Sequence, residues 1–192
     1  PTVEEVQRIF RADWTAQAAL GDLSFDGRQT RESPQILGEP LVALFATKFA
    51  NRRFRAVMER FEVPLGDQRT GEELPIPLLG YIDFLDEDHR IGEIKTAAKK
   101  VDPNGYQWTV QLSGYSYAHR YLTGLDPTIV VVELLKTKTP AIELFEVRHS
   151  QQQEQWFVRL AFDVYAAIRN RSFPPIPSWA CARCEYRNDC LG

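Results

Sequence analysis

Cysteine is nearly absent from this chain: of 192 residues three are cysteines, and all three fall between positions 181 and 190. No run approaches the roughly 20 apolar residues of a membrane span, and no secretory leader is recognisable. These absences disfavour membrane and secreted classes, and the chain reads as cytoplasmic. A basic excess is missing too, because 23 Lys and Arg stand against 26 Asp and Glu, a net charge of −3. A nucleic-acid partner would therefore be met by a local patch and not by the whole surface. Asn51-Arg52-Arg53-Phe54-Arg55 and Lys95 with Lys99-Lys100 are the candidate patches. What the chain does have is 44% hydrophobic residues, enough at this length for one sizeable core, so a single domain is expected.

The stretch with the clearest chemistry is Leu79-Gly80-Tyr81-Ile82-Asp83-Phe84-Leu85-Asp86, answered by Arg90-Ile91-Gly92-Glu93-Ile94-Lys95-Thr96. Both are short apolar runs with alternating charges, and Glu87-Asp88-His89 between them reads as a hairpin turn. Alternation along a strand points Glu93 and Lys95 one way and Ile94 the other. A turn centred on Asp88 sets Asp83 directly across the ladder from Glu93, with Cβ atoms about 5 Å apart. Two carboxylates so close call for a cation, and hard oxygen ligands suit Mg²⁺ or Mn²⁺. An ammonium two residues after the second acid can hold the attacking water or offset charge on a phosphate.

Gly-x-x-Asp followed by Glu-x-Lys resembles the PD-(D/E)XK nuclease superfamily, and Gly80-Tyr81-Ile82-Asp83 with Gly92-Glu93-Ile94-Lys95-Thr96 resembles its RecB-like branch. A helical stretch expected from about 104 to 122 carries Gln111 and Tyr115 at i and i+4, on one face, with Trp108 and His119 extending the stripe. The RecB-like branch has a similar Gln-x-x-x-Tyr motif one helix after its Glu-x-Lys strand, beside the active site and the nucleic-acid strand.

The cysteines form a third motif. Cys181, Cys184 and Cys190 are spaced C-x2-C-x5-C, a spacing that clamps a metal, one ligand short of a four-cysteine zinc site or a [4Fe–4S] cluster. The resemblance favours the cluster: iron–sulfur members of the branch, including AddB-type and CRISPR-associated exonucleases, carry three cysteines after the nuclease core and one far upstream.

Elsewhere Thr2 and Glu5 form a capping-box pattern, opening a helix with Val3, Val6, Phe10 and Trp14 inward to about Leu20. Residues 21 to 34 read as a loop, and a second helix is expected over about 35–51, with Glu39 in its first turn. A strand over 54–64 should pair with the one over 76–86, and Glu59 on it resembles a glutamate of the family's first strand. Thr128-Ile129-Val130-Val131-Val132 lacks alternation, as in a strand buried on both faces. Residues 141–148 alternate and pair with it, and a long helix over 151–171 follows, with Trp156, Leu160, Val164, Tyr165 and Ile168 inward. The order αα-βββ-α-ββ-α fits an α/β fold, a central mixed sheet flanked by helices with a C-terminal cysteine knot. Residues 1–178 would be the nuclease core and 179–192 the cysteine cluster of the same domain.

RecB-like nucleases also begin with the first cluster cysteine and a metal-ligand histidine, and neither precedes the hairpin here. The expectation is a C-terminal piece of such a protein; the rival is a divergent member that binds metal through two acids and a backbone carbonyl such as that of Ile94. The resemblance implies a DNA nuclease of exonuclease type, used for instance in DNA repair. Asp83 and Glu93 would hold the metal, Lys95 act on the nucleophile or transition state, and Gln111 and Tyr115 position the strand. DNA, and a helicase domain or subunit, are the expected partners. Two other readings stay open: a non-catalytic module that binds DNA or a helicase, and a zinc-tethered interaction domain.

Overall fold

A computed structural model describes residues 1–21, 30, 32–137 and 139–191. Helix α1 (Val3–Leu20) opens on the expected box, with the Thr2 hydroxyl accepting the Glu5 N–H and the Glu5 carboxylate accepting the Thr2 N–H. It packs along α2 (Ser33–Phe49), where the Phe10 ring lies over Gly38 and Arg11 bonds Glu39 at 2.9 Å. The expected loop over 21–34 falls mostly outside the described residues. Next come β1 (Phe54–Val63), a two-residue pair β2 (Gly66–Asp67) and β3 (Glu72–Glu73), β4 (Leu78–Asp86) and β5 (Ile91–Ala97). Helix α3 (Val110–Thr123), strands β6 (Ile129–Leu135) and β7 (Ala141–Val147), helix α4 (Gln151–Arg169) and the short α5 (Arg187–Leu191) complete the chain.

The five-stranded sheet has the order β1-β4-β5-β6-β7, with β5 and β6 parallel and the other pairs antiparallel. Helix α3 makes the crossover between the parallel strands. Every residue of β6 is buried, Glu133 included, as the apolar run Ile129–Val132 predicts for a central strand covered on both faces. One face packs Ile82, Ile91, Ile129 and Val131 against Leu112, Tyr115 and Phe157 of α3 and α4. The other packs Phe84, Val130 and Val132 against Leu41 and Phe49 of α2. This is the mixed α/β sheet flanked by helices that the element order implies.

Three expectations need correction. The helix carrying Gln111 begins at Val110, not near 104. Asp102 and Pro103 start a separate 3-10 turn, Pro103–Tyr106, and extended Thr109 then caps α3. The inward face of α4 is also rotated. Ser150 and Gln153 form a capping box, and Gln153, Glu154, Phe157 and Val158 are buried while Val164 and Ile168 are exposed. Glu39 lies beyond the first turn of α2 and holds Arg11 and Gln35. No helix among the described residues is long and apolar enough to cross a membrane.

Candidate active site

The hairpin register is set by its turn. The Asp86 Oδ1 accepts the N–H groups of Asp88 and Arg90 at 3.0 and 2.9 Å, and its Oδ2 accepts Arg90 Nε at 2.7 Å. His89 takes the left-handed conformation (φ 61°) that closes a three-residue loop. The ladder then pairs Leu85 with Ile91 and Phe84 with Gly92, a register that carries Asp83 toward Glu93. Two glycines make room for it. A Cβ on Gly92 would enter the ring of its partner Phe84, and one on Gly80 would enter the ring of its partner Phe61.

Beyond Phe84 the two strands part, and side chains fill the fork. Asp83 Oδ2 accepts the Ile94 N–H at 2.7 Å. Glu93 is 3% exposed, and its Oε1 lies 2.5 Å from Lys95 Nζ. Its Oε2 is buried with no hydrogen-bond partner among the described residues. Lys95 Nζ also donates to Gln111 Oε1 at the start of α3. The Gln111 amide in turn donates to the Tyr115 hydroxyl at 2.9 Å, and that hydroxyl donates to the Tyr81 carbonyl at 2.7 Å. Burial, aided by the negative charges of Glu93 and Asp83, pushes the Tyr115 phenol up to about 12, so it stays protonated at neutral pH. All five side chains singled out from the sequence thus come together at one fork, joined by strand register on one side and one helix turn on the other.

Residues 2–191 match the family described as the PD-(D/E)XK nuclease superfamily. The chain belongs to that superfamily. Among solved structures, SSO0001 is 17% identical with a TM-score of 0.49, covering 83% of this chain and 70% of that one. A Eubacterium rectale protein, provisionally described as an exonuclease, is 13% identical with a TM-score of 0.54. That likeness covers 86% of this chain and 64% of the Eubacterium rectale one, so the chain spans less than two thirds of that protein's length. At this identity it shows the fold. A comparison with curated proteins finds no match.

In this PD-(D/E)XK chain a buried acid that the motifs do not mark lies beside the site. Glu133 on β6 pairs in register with Lys95 and is wholly buried. Its Oε1 accepts the Tyr106 hydroxyl at 2.8 Å and its Oε2 accepts the Val101 N–H at 3.3 Å. The pair ties the connector that leads into α3, and so Gln111, to the strand beside the site. A lone Glu inside an apolar run was the available signal.

Other candidates sit elsewhere. Glu59 is exposed, with no hydrogen bond or ion pair to the fork among the described residues. Buried His119 bonds Thr123 at the far end of α3, and buried His149 bonds Ser113 and the Tyr106 carbonyl. Burial lowers both imidazoles below their ordinary value. Of the basic runs, Arg52 covers the Phe49 ring at 5.6 Å, Arg55 bonds His89 and Lys100 bonds Glu143. Cys181, Cys184 and Cys190 are free, with Cys181 half-buried and the other two exposed. Among the described residues no three His, Cys, Asp or Glu side chains are grouped to hold a metal, and the expected cysteine knot is not shown.

Proposed function

We propose that the chain is a divalent-metal-dependent deoxyribonuclease that removes nucleotides from single-stranded or free-ended DNA. The observation that carries this reading is the buried Oε2 of Glu93, which has no hydrogen-bond partner among the described residues, on the strand whose Ile94 N–H the Asp83 carboxylate accepts. A carboxylate oxygen left without a donor in the interior is costly unless a cation meets it. Hard oxygen donors fit Mg²⁺ or Mn²⁺, and Asp83, Glu93 and the Ile94 carbonyl are the groups that would hold it. Once bound, such an ion lowers the pKa of water and polarises a phosphodiester.

The chain's own residues would do the rest. The Lys95 ammonium, between Glu93 and Gln111, can turn an N–H toward the phosphate as water attacks phosphorus and the P–O bond to the departing sugar breaks. Gln111 holds that ammonium in place, and Tyr115, anchored on the Tyr81 carbonyl, holds Gln111. Exonuclease action fits the description of the Eubacterium rectale structure. A helicase domain or subunit is the partner this reading expects. The C-terminal thiols would take a [4Fe–4S] cluster, or zinc, only with ligands from outside those described; iron and zinc analysis of anaerobically purified protein decides between them.

Mg²⁺- or Mn²⁺-dependent degradation of end-labelled single-stranded DNA is the test. Cleavage by the wild type, lost in Asp83→Ala and Lys95→Ala, supports the reading; survival of a covalently closed circle supports the exonuclease part. That no three His, Cys, Asp or Glu side chains are grouped to hold a metal among the described residues favours the second reading, a non-catalytic DNA-binding module. Metal-independent binding without cleavage would establish it.

A further inference from the structure

Strand β1 holds one of the three non-glycine residues with positive φ among the described residues: Met58, at 52°. An L-residue there pays a steric cost that glycine, and to a degree asparagine, avoids. Its location gives the conformation a meaning. The β1–β4 register pairs Val57 with Phe84 and Glu59 with Ile82, so Met58 stands opposite Asp83, and those two are the pair the ladder skips.

At that level β4 changes faces. Residues two apart on a strand share a face. Ile82 nevertheless packs in the cluster under α3 and α4, while Phe84 packs in the cluster under α2. Leu85 returns to the first cluster. The swap lies at Asp83, whose carboxylate then reaches sideways to the Ile94 N–H instead of standing above the sheet. It also lets Phe61 cover Gly80 on one face and Phe84 cover Gly92 on the other.

We infer that Met58 is a positioning residue whose left-handed backbone lets β4 change faces at Asp83 and so aims the Asp83 carboxylate into the fork. The inference rests on the nuclease reading only for its effect on catalysis. The backbone, not the thioether, does this, because the Met58 side chain is 61% exposed. Edge protection is the competing role, since β1 is an outer strand and a bulged edge resists pairing with another chain.

Met58→Gly, Met58→Asn and Met58→Ile separate these roles. Gly and Asn enter the left-handed region readily, whereas a β-branched residue there is a steric outlier. The Ile94 amide, followed by NMR chemical shift and hydrogen exchange, reports the Asp83 bond directly and needs no activity. In Met58→Gly and Met58→Asn it should match the wild type. In Met58→Ile it should shift and exchange about tenfold faster or more than amides of β6, which serve as an internal control for global stability. Where the wild type cleaves DNA, kcat in Met58→Ile should fall about tenfold or more and the Mg²⁺ half-saturation should rise, with KM for DNA little changed. An unmoved Ile94 amide in Met58→Ile overturns the inference, as does a Met58→Gly variant as impaired as Met58→Ile. Altered self-association with an unchanged Ile94 amide assigns Met58 to edge protection and overturns it equally. A wild type that does not cleave refutes the nuclease reading and leaves the amide measurement to decide the role of Met58.

Discussion

Gly92 immediately precedes the buried Glu93, and the structure gives it a steric reason to be glycine. Three ring carbons of Phe84 occupy the space a Cβ would need. The ring cannot retreat outward, because Phe84 is 5% exposed, nor sideways, because Phe54 meets it edge-on at a centroid distance of 4.8 Å. Gly92→Ala must therefore displace Phe84, its ladder partner, and with it the strand that bears Asp83. Overpacking a close-packed core costs about 1–3 kcal/mol, and a whole ring against a backbone belongs near the upper end, at about 2–3 kcal/mol. For a chain of this size that lowers Tm by about 4–12 °C. Phe84→Leu loses apolar contact but clears the space, so the double variant should be more stable than the sum of the single losses by about 1–2 kcal/mol. Urea unfolding of the four proteins measures that coupling. A Gly92→Ala chain within about 0.5 kcal/mol of the wild type, or strictly additive losses, would refute the packing argument.

Four further outcomes follow from the site. Glu93→Gln should abolish metal-dependent cleavage, by about a hundredfold or more, while the protein remains folded by circular dichroism; retained cleavage would remove Glu93 from the chemistry. Tyr106→Phe should cost about 1–3 kcal/mol, since it leaves a buried oxygen of Glu133 without its hydroxyl donor; chemical denaturation reads this directly. Because the folded Tyr115 phenol titrates near 12 instead of its ordinary 10.0, stability is fully present below pH 10 and falls as pH rises toward 12. Tyr115→Phe should flatten that alkaline decline in Tm. His149 behaves oppositely: its folded value is depressed by burial, so stability drops as pH falls below about 6.5, where the unfolded chain takes up the proton more readily. His149→Gln should reduce that acid slope in urea titrations.

The hairpin was legible because every part of it is local. Asp86, its three-residue turn and the alternation on either side define one register without help from distant residues. The start of α1 is readable because a capping box marks it at Thr2, and the start of α3 is not, because a separate turn intervenes between Asp102 and Thr109. The stripe on α4 went wrong for a different reason. Its C-terminal half carries apolar residues at helical spacing that nothing among the described residues covers, and periodicity cannot tell an exposed stripe from a packed one. Glu133 was passed over because the apolar run around it masked a single acid.

Motif spacing converts directly into register along a hairpin and phase along a helix, so the order of the main helices and strands, the five residues of the fork and the superfamily are legible along the chain, whereas the short pair β2–β3 and helix α5 are not. Which donors those residues meet depends on how distant segments pack. Lys95 lies between Glu93 and Gln111, one oxygen of Glu93 meets no donor among the described residues, and Glu133 ties the connector before α3 to β6. The left-handed turn at Met58 and the face change at Asp83 belong there too. Such features arise from packing two clusters onto opposite faces of one sheet, a constraint between segments far apart in the chain that no local pattern encodes.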